Sequence, residues 1–254
     1  MFVRPDSIVR RIWGTGDTIL FIFAGAAAEF ALNKAVDWLY FTGRLPADPL
    51  GRLFSTVEYA RRIVFSDRAG ALRAIDSMAT IHAAVEEKRG RAVPDWAYRD
   101  VLFMLIDYSI RSFEVLERPL RTEEKEEVFA VFYRVGDRMG VGGLPTSYAD
   151  WCTARAQHLQ DDLQPSRYTE DLFRQYRKHL GLGRYLLLRE AQKLVVPGHV
   201  RRLLNFGSSS LVRPLLVLYK LGRRVRLDWV LKTLLLPPDY KRQIMALDRV
   251  PDRS

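Results

Sequence analysis

Apolar residues recur three and four positions apart along most of the chain. No run sustains the alternation of a half-buried strand between hairpin turn residues. The spacing predicts an all-α protein. Asp6-Ser7 can cap a first helix to about Trp13, "GTGD" interrupts it, and Asp17 or Thr18 can cap an apolar helix through Leu32. "NKAVDWLYF" continues as an amphipathic helix to Gly43, and "GRLPADPLG" reads as a proline-rich loop. Asp48-Pro49 then opens a helix through Phe65, with proline in the first turn, where its missing N–H costs nothing. "SDRAG" precedes a helix from about Gly70 to Lys88, and Pro94 or Asp95 starts a long one. Thr122 followed by acidic residues favours a further start, because carboxylates suit the positive end of the helix dipole. After the loop "MGVGGLPTS", Ser147 can cap the next helix, and others begin near Thr169, Arg184, His199, Leu211 and Leu227.

At 254 residues, with 48% hydrophobic and 28% charged side chains, the chain can bury a sizeable core. One all-helical domain over 1–254 is expected, without repeats or low-complexity segments: a core over 7–190, with basic helices of 191–254 packed on it. The single cysteine, Cys152, excludes an internal disulfide, a Cys-x-x-Cys-His haem attachment and any multi-cysteine metal site. It suits a reducing, cytoplasmic setting, and no signal peptide is evident. The most apolar stretch, Thr18 to Leu32, has only 11 uncharged residues between Asp17 and Glu29. A membrane span needs about 20, so a buried helix is expected there. The net charge of +10 is uneven: Ala191 to Leu227 contains no Asp or Glu but holds Lys193, Arg201, Arg202, Arg213, Lys220, Arg223, Arg224 and Arg226. Such an excess suits contact with an anionic membrane, nucleic acid or an acidic partner, or is a solvated basic face.

Three polar residues stand in otherwise apolar helical patterns. Arg52, Thr56, Tyr59 and Ile63 share one helix stripe. Arg52 keeps its charge, so its burial requires a strong acceptor, such as an anionic cofactor; alternatively it reaches solvent at the helix start. His82 lies on the stripe Leu72, Ile75, Met78/Ala79, His82, Val85, with alanines at 79, 83 and 84. Small neighbours allow a flat group or another helix to approach closely. A neutral imidazole there can ligate a metal or haem iron, or be a core histidine between packed helices. Phosphate loops, dinucleotide glycine motifs and nucleophile elbows are absent from the sequence. His158, His179 and His199 are isolated in polar or basic surroundings, and no His-x-x-x-His or Glu-x-x-His pair suggests a non-haem metal centre. Glu86-Glu87 and "EEKEE" read as solvated helix faces. Glu29 could be a buried base of raised pKa or could face solvent at a helix edge, and the second is preferred.

Taken in order, "IWGTGD", an alanine-rich apolar helix, "DPLGRLFST", Ile81-His82, "DWAYRDVLFMLIDYSI" and "RPLRTEEKEEVF…MGVGGLPTS" resemble the MpaB and rubber-oxygenase family, which includes the latex clearing proteins. The resemblance covers about residues 7 to 150 and lies in the joint order of segments. It implies a single-domain helix bundle of the latex clearing protein type around a buried, non-covalent b-type haem. It also implies dioxygen as co-substrate and cleavage of C=C bonds in isoprenoid chains. Carried over by residue, it implies His82 as the iron ligand, with Arg52 serving a haem propionate and Thr56 supporting the pocket by hydrogen bonding. Many relatives have a Trp-x-His pair in the helix after the haem histidine, and Asp107 stands at the corresponding place here.

Two functions follow. One is a haem b-dependent oxygenase acting with dioxygen on an apolar unsaturated molecule or polyisoprenoid, without nucleic acid and with its basic edge against an anionic membrane. The other is a non-catalytic helical binding protein, a degenerate family member whose basic C-terminal region contacts membrane or nucleic acid; Asp107 and the lack of a recognisable distal base favour it.

Overall fold

The computed structural model of the chain describes residues 1–41, 43 and 48–207, without the side chains at 39, 49, 50 and 52–54. Among the described residues there are ten helices and no strand. They are α1 (Ile8–Trp13), α2 (Gly16–Phe30), α3 (Val36–Phe41), α4 (Pro49–Phe65), α5 (Arg68–Arg89), α6 (Asp95–Leu116), α7 (Thr122–Arg138), α8 (Tyr148–Asp161), α9 (Arg167–Val195) and α10 (Gly198–Leu203). The helices expected from Leu211 and Leu227, and the basic stretch beyond residue 207, lie outside the described residues.

Side chains fix most starts. Ser7, Asp48, Asp67 and Ser147 each accept a hydrogen bond from a backbone N–H of the following turn, satisfying a donor that the helix itself leaves open. At α7 the boundary moves by one: Arg121 is the cap and Thr122 the first helical residue. The Glu124 carboxylate reaches back to the Arg121 N–H at 2.8 Å and is gripped by both terminal nitrogens of Arg118 at 2.7 and 2.8 Å.

α6 is the central helix. Its buried residues include Phe103, Met104, Ile106, Tyr108, Ile110 and Phe113, and α2 packs along it more extensively than any other element. α7, α8 and α9 also lean on α6, and α9 packs on α2 as well. Trp13 is fully buried against Phe132 and donates its indole N–H to Ser109 Oγ at 3.2 Å. Burial of a ring this size stabilises by roughly 1.5–3 kcal/mol or more, and the hydrogen bond removes the cost of hiding its N–H.

Two glycines shape the packing. At Gly25 of α2, an added Cβ would lie 2.2 Å from the Tyr108 ring, so the closeness of α2 and α6 requires a residue without one. Gly181 adopts φ 72° and ψ 169°, which is open to glycine and not to a residue with Cβ. Helices were expected separately from Thr169 and Arg184. The backbone leaves the helical region at Gly181, so α9 consists of two helical segments that meet at a kink between those two starts.

Gly25→Ala should destabilise the fold by about 1–3 kcal/mol, the usual cost of forcing an extra carbon into a packed interior, measured as a lower urea midpoint at unchanged slope. The grip of Arg118 on Glu124 predicts an acid limb. Arg118 and the Arg121 N–H hold the Glu124 carboxyl down at about 2 against 4.5. A depressed folded pKa stabilises above about 4.5 and loses that contribution as pH falls toward 2. Glu124→Gln should therefore flatten the fall of thermal midpoint between those pH values while leaving its shape above pH 5 unchanged.

Candidate functional site

α4 and α5 form a hairpin whose connection is only Ser66-Asp67, so they run antiparallel. Near the turn, Val57, Ala60, Ile63 and Val64 of α4 and Ala71, Ala74 and Ile75 of α5 are buried. Beyond Ile75 no residue of α5 is fully buried, and Ile81 is 45% exposed. The hairpin thus carries the first half of α4 and the second half of α5 to its turn-distal end. Arg52 is in the first turn of α4, with its side chain outside the described residues; Thr56 follows one turn later and is half-buried. His82 is half-buried on the facing helix, with Ala79, Ala83 and Ala84 about it.

The His82 ring stacks on Tyr98 of α6, with centroids 5.2 Å apart and planes at 22°. Tyr98 donates its hydroxyl to Glu86 Oε1 at 3.0 Å, and the Val93 N–H donates to the same oxygen at 2.7 Å. Burial and the Glu86 carboxylate push the Tyr98 phenol well above its ordinary range, so it stays a donor. Glu86 was expected on a solvated face; it is half-buried because it closes the α5–α6 connection. At the end of α5, Arg89 pairs with Asp37 of α3 at 2.7 Å and lies 3.9 Å over the Trp38 ring. Asp37 is therefore a tether between helices.

Glu29 corrects an expectation. It is fully buried, not at a solvent edge. Arg155 of α8 grips it with two bonds of 2.5 and 2.7 Å, and Tyr108 donates to it at 2.8 Å. The same guanidinium reaches Asp107 Oδ2 at 2.9 and 3.0 Å, while Arg111 holds Asp107 Oδ1 at 2.6 Å. Burial pushes the Glu29 carboxyl up, but the Arg155 charge and hydrogen bonds outweigh it and hold the group at about 2. Burial likewise works against the Arg155 charge, and Glu29 and Asp107 more than offset it. Burial raises the Tyr108 phenol, and the Glu29 charge raises it further.

His158, expected to be isolated, is also buried here. Its Nδ1 lies 2.6 Å from Asp100 Oδ1 and 3.2 Å from Asp162 Oδ2, and its Nε2 lies 3.2 Å from Glu29 Oε1. Burial opposes its charge, yet the bonds from Asp100 and Glu29 raise it to about 9. Asp100 moves up, mainly from burial, with His158 and the Asn33 amide pulling against that. Asn33 Nδ2 donates to Asp100 Oδ2 at 2.9 Å.

The three residues singled out from the sequence thus sit on one hairpin, while a second polar centre joins α2, α6 and α8. That centre had local signals: Asp107 and Arg111, like His158 and Asp162, are four apart on a helix. Glu29 in an alanine-rich helix was the third. What the sequence does not display is the pairing across 126 positions between Glu29 and Arg155.

A family model described as ER-bound oxygenase mpaB/B'/Rubber oxygenase, catalytic domain, matches residues 10–240. The chain belongs to that family and carries an oxygenase-type domain. No curated protein and no solved structure matches it.

Arg155→Leu takes the shared guanidinium away from two buried carboxylates, Glu29 and Asp107. It should cost about 3–5 kcal/mol, the range for breaking a buried ion pair from one side, measured by urea denaturation. Glu29→Gln added to Arg155→Leu should cost less than the sum of the single changes, because the two share one interaction.

Proposed function

We propose that this protein is a haem-dependent oxygenase that acts with dioxygen on an apolar, unsaturated substrate. The family match over residues 10–240 carries the reading. The surroundings of His82 support it. The residue offers an imidazole nitrogen one turn after Ala79, and its helix has no fully buried residue after Ile75. These residues fit a flat, nitrogen-ligated group such as b-type haem.

In this reading His82 is the iron ligand, and the stacked Tyr98 ring, itself fixed by Glu86, sets the plane of the imidazole. Arg52 meets a propionate, and Thr56 supports the pocket by hydrogen bonding. Bound haem supplies the dioxygen chemistry, and the helices supply an apolar enclosure that excludes water. If the substrate is cleaved at a C=C bond, both atoms of dioxygen end in the two carbonyl groups produced. An isoprenoid or lipid-like molecule is the substrate class, and an anionic membrane surface suits the basic C-terminal stretch. No described helix is long and apolar enough to cross a membrane. Asp107 has both oxygens engaged by arginines and serves here to seat α8, not to ligate.

The test is the absorption spectrum of the purified chain with added haem. The wild type should show a Soret band at one equivalent. His82→Ala should lower haem affinity by more than the roughly 10–100-fold that loss of an outer partner costs a metal site, with an unchanged helical circular-dichroism spectrum. Folded wild type that takes up no haem would overturn the reading and favour a non-catalytic binding protein.

A further inference from the structure

The centre around His158 is built like a cation site. Asp100 comes from the first half of α6, His158 from the last turn of α8, and Asp162 caps that helix. His158 Nδ1 and one oxygen from each aspartate all lie within 4.8 Å of one another. His158 and Asp162 are four apart, so the helix itself aims both at one point. Asp100 and His158 are buried, while the Asp162 side chain is 25% exposed, which gives the cluster one edge toward solvent.

Each buried donor is oriented from behind. Glu29 Oε1 accepts from His158 Nε2 at 3.2 Å, which turns Nδ1 toward the aspartates. Asn33 Nδ2 fixes the far oxygen of Asp100 and leaves the near one facing Nδ1. A carboxylate behind a ligating histidine and an amide behind a ligating carboxylate are the outer partners that metal sites use to set tautomer and ligand direction. Asn33 is itself held, since its Oδ1 accepts the Ala35 N–H at 2.8 Å.

Charge balance points the same way. Among the described residues, the ion pairs of this centre join four carboxylates (Glu29, Asp100, Asp107 and Asp162) to Arg111, Arg155 and His158. A protonated His158 leaves one negative charge over. A divalent cation on a neutral His158, in place of the Nδ1 proton, leaves none. We propose that Asp100, His158 and Asp162 bind one divalent cation of the zinc class, which ties the α2–α3 turn, α6 and α8 together. One imidazole nitrogen with two carboxylate oxygens suits Zn²⁺ better than the all-oxygen cations. The site uses none of Arg52, Thr56 and His82, so it stands or falls independently of the haem reading.

The experiment is calorimetric titration of the chelator-stripped full chain with Zn²⁺, with Co²⁺ absorption as the probe of coordination. The wild type should bind one equivalent of Zn²⁺ and gain thermal stability, and Co²⁺ should develop visible d–d bands. Asp162→Asn removes only the most exposed donor and should weaken binding at least about tenfold while the metal-free protein stays folded. His158→Gln should abolish the Co²⁺ bands. His82→Ala, His179→Gln and His199→Gln should leave binding unchanged. The proposal is overturned if stripped wild type takes up no Zn²⁺, if folded Asp162→Asn binds as tightly as wild type, or if one of those three other variants removes the site.

Discussion

The buried grip of Arg155 on Glu29 and Asp107 is the constraint around which the bundle is arranged. Burying a guanidinium and two carboxylates is unfavourable in itself, because each gives up its water. The arrangement persists only if every oxygen and N–H finds a partner. Tyr108, Arg111 and His158 supply the remaining ones. Since these groups come from α2, α6 and α8, the requirement fixes how the three helices are rotated relative to one another. A helix bundle packed on hydrocarbon alone tolerates small rotations; one with a fully buried carboxylate does not. Gly25 belongs to the same constraint, because it lets the Tyr108 ring lie against α2 where its hydroxyl meets Glu29.

The hairpin of α4 and α5 has a different character. Its turn-proximal half is ordinary core, with Ile63, Ala71, Ala74 and Ile75 in one cluster. Its distal half trades burial for small side chains, a stacked His82–Tyr98 pair and a tether through Arg89. A helix that stays intact while its packing thins along its length is suited to receiving something on the thinner half. The ion-paired centre of Glu29 and Arg155 belongs to other helices, α2 and α8.

Much of the fold was legible because helices announce themselves locally. The caps at Ser7, Asp48, Asp67 and Ser147 are side-chain chemistry within a few residues of the backbone they serve. The break between the helical segments from Thr169 and Arg184 was legible too, because Gly181 adopts a left-handed φ of 72° that a glycine takes without strain. Thr56 and His82 were placed on two predicted helices, and the fold joins those helices, α4 and α5, as one hairpin. Glu29 and His158 were misjudged for one reason. A lone polar residue on a helix has two outcomes, solvent or burial with a partner, and only distant residues decide between them. Arg155 and Asp100, the deciding partners, lie in other helices.

The placement of α2 also sets the order in which the chain can become native. It is a strongly apolar helix, yet its principal partners are α6 and α9, far along the chain, the latter ending at Val195. The α4–α5 hairpin closes from neighbouring sequence, while α2 must wait for loops of great length to close, which is entropically slow. Its alanine-rich face and Glu29 are therefore without their final surroundings until those distant helices have docked. A chain in which α2 has not yet met α6 and α9 leaves an apolar face and a carboxylate without the groups that bury them, and partly folded states of that kind are the ones prone to mispairing.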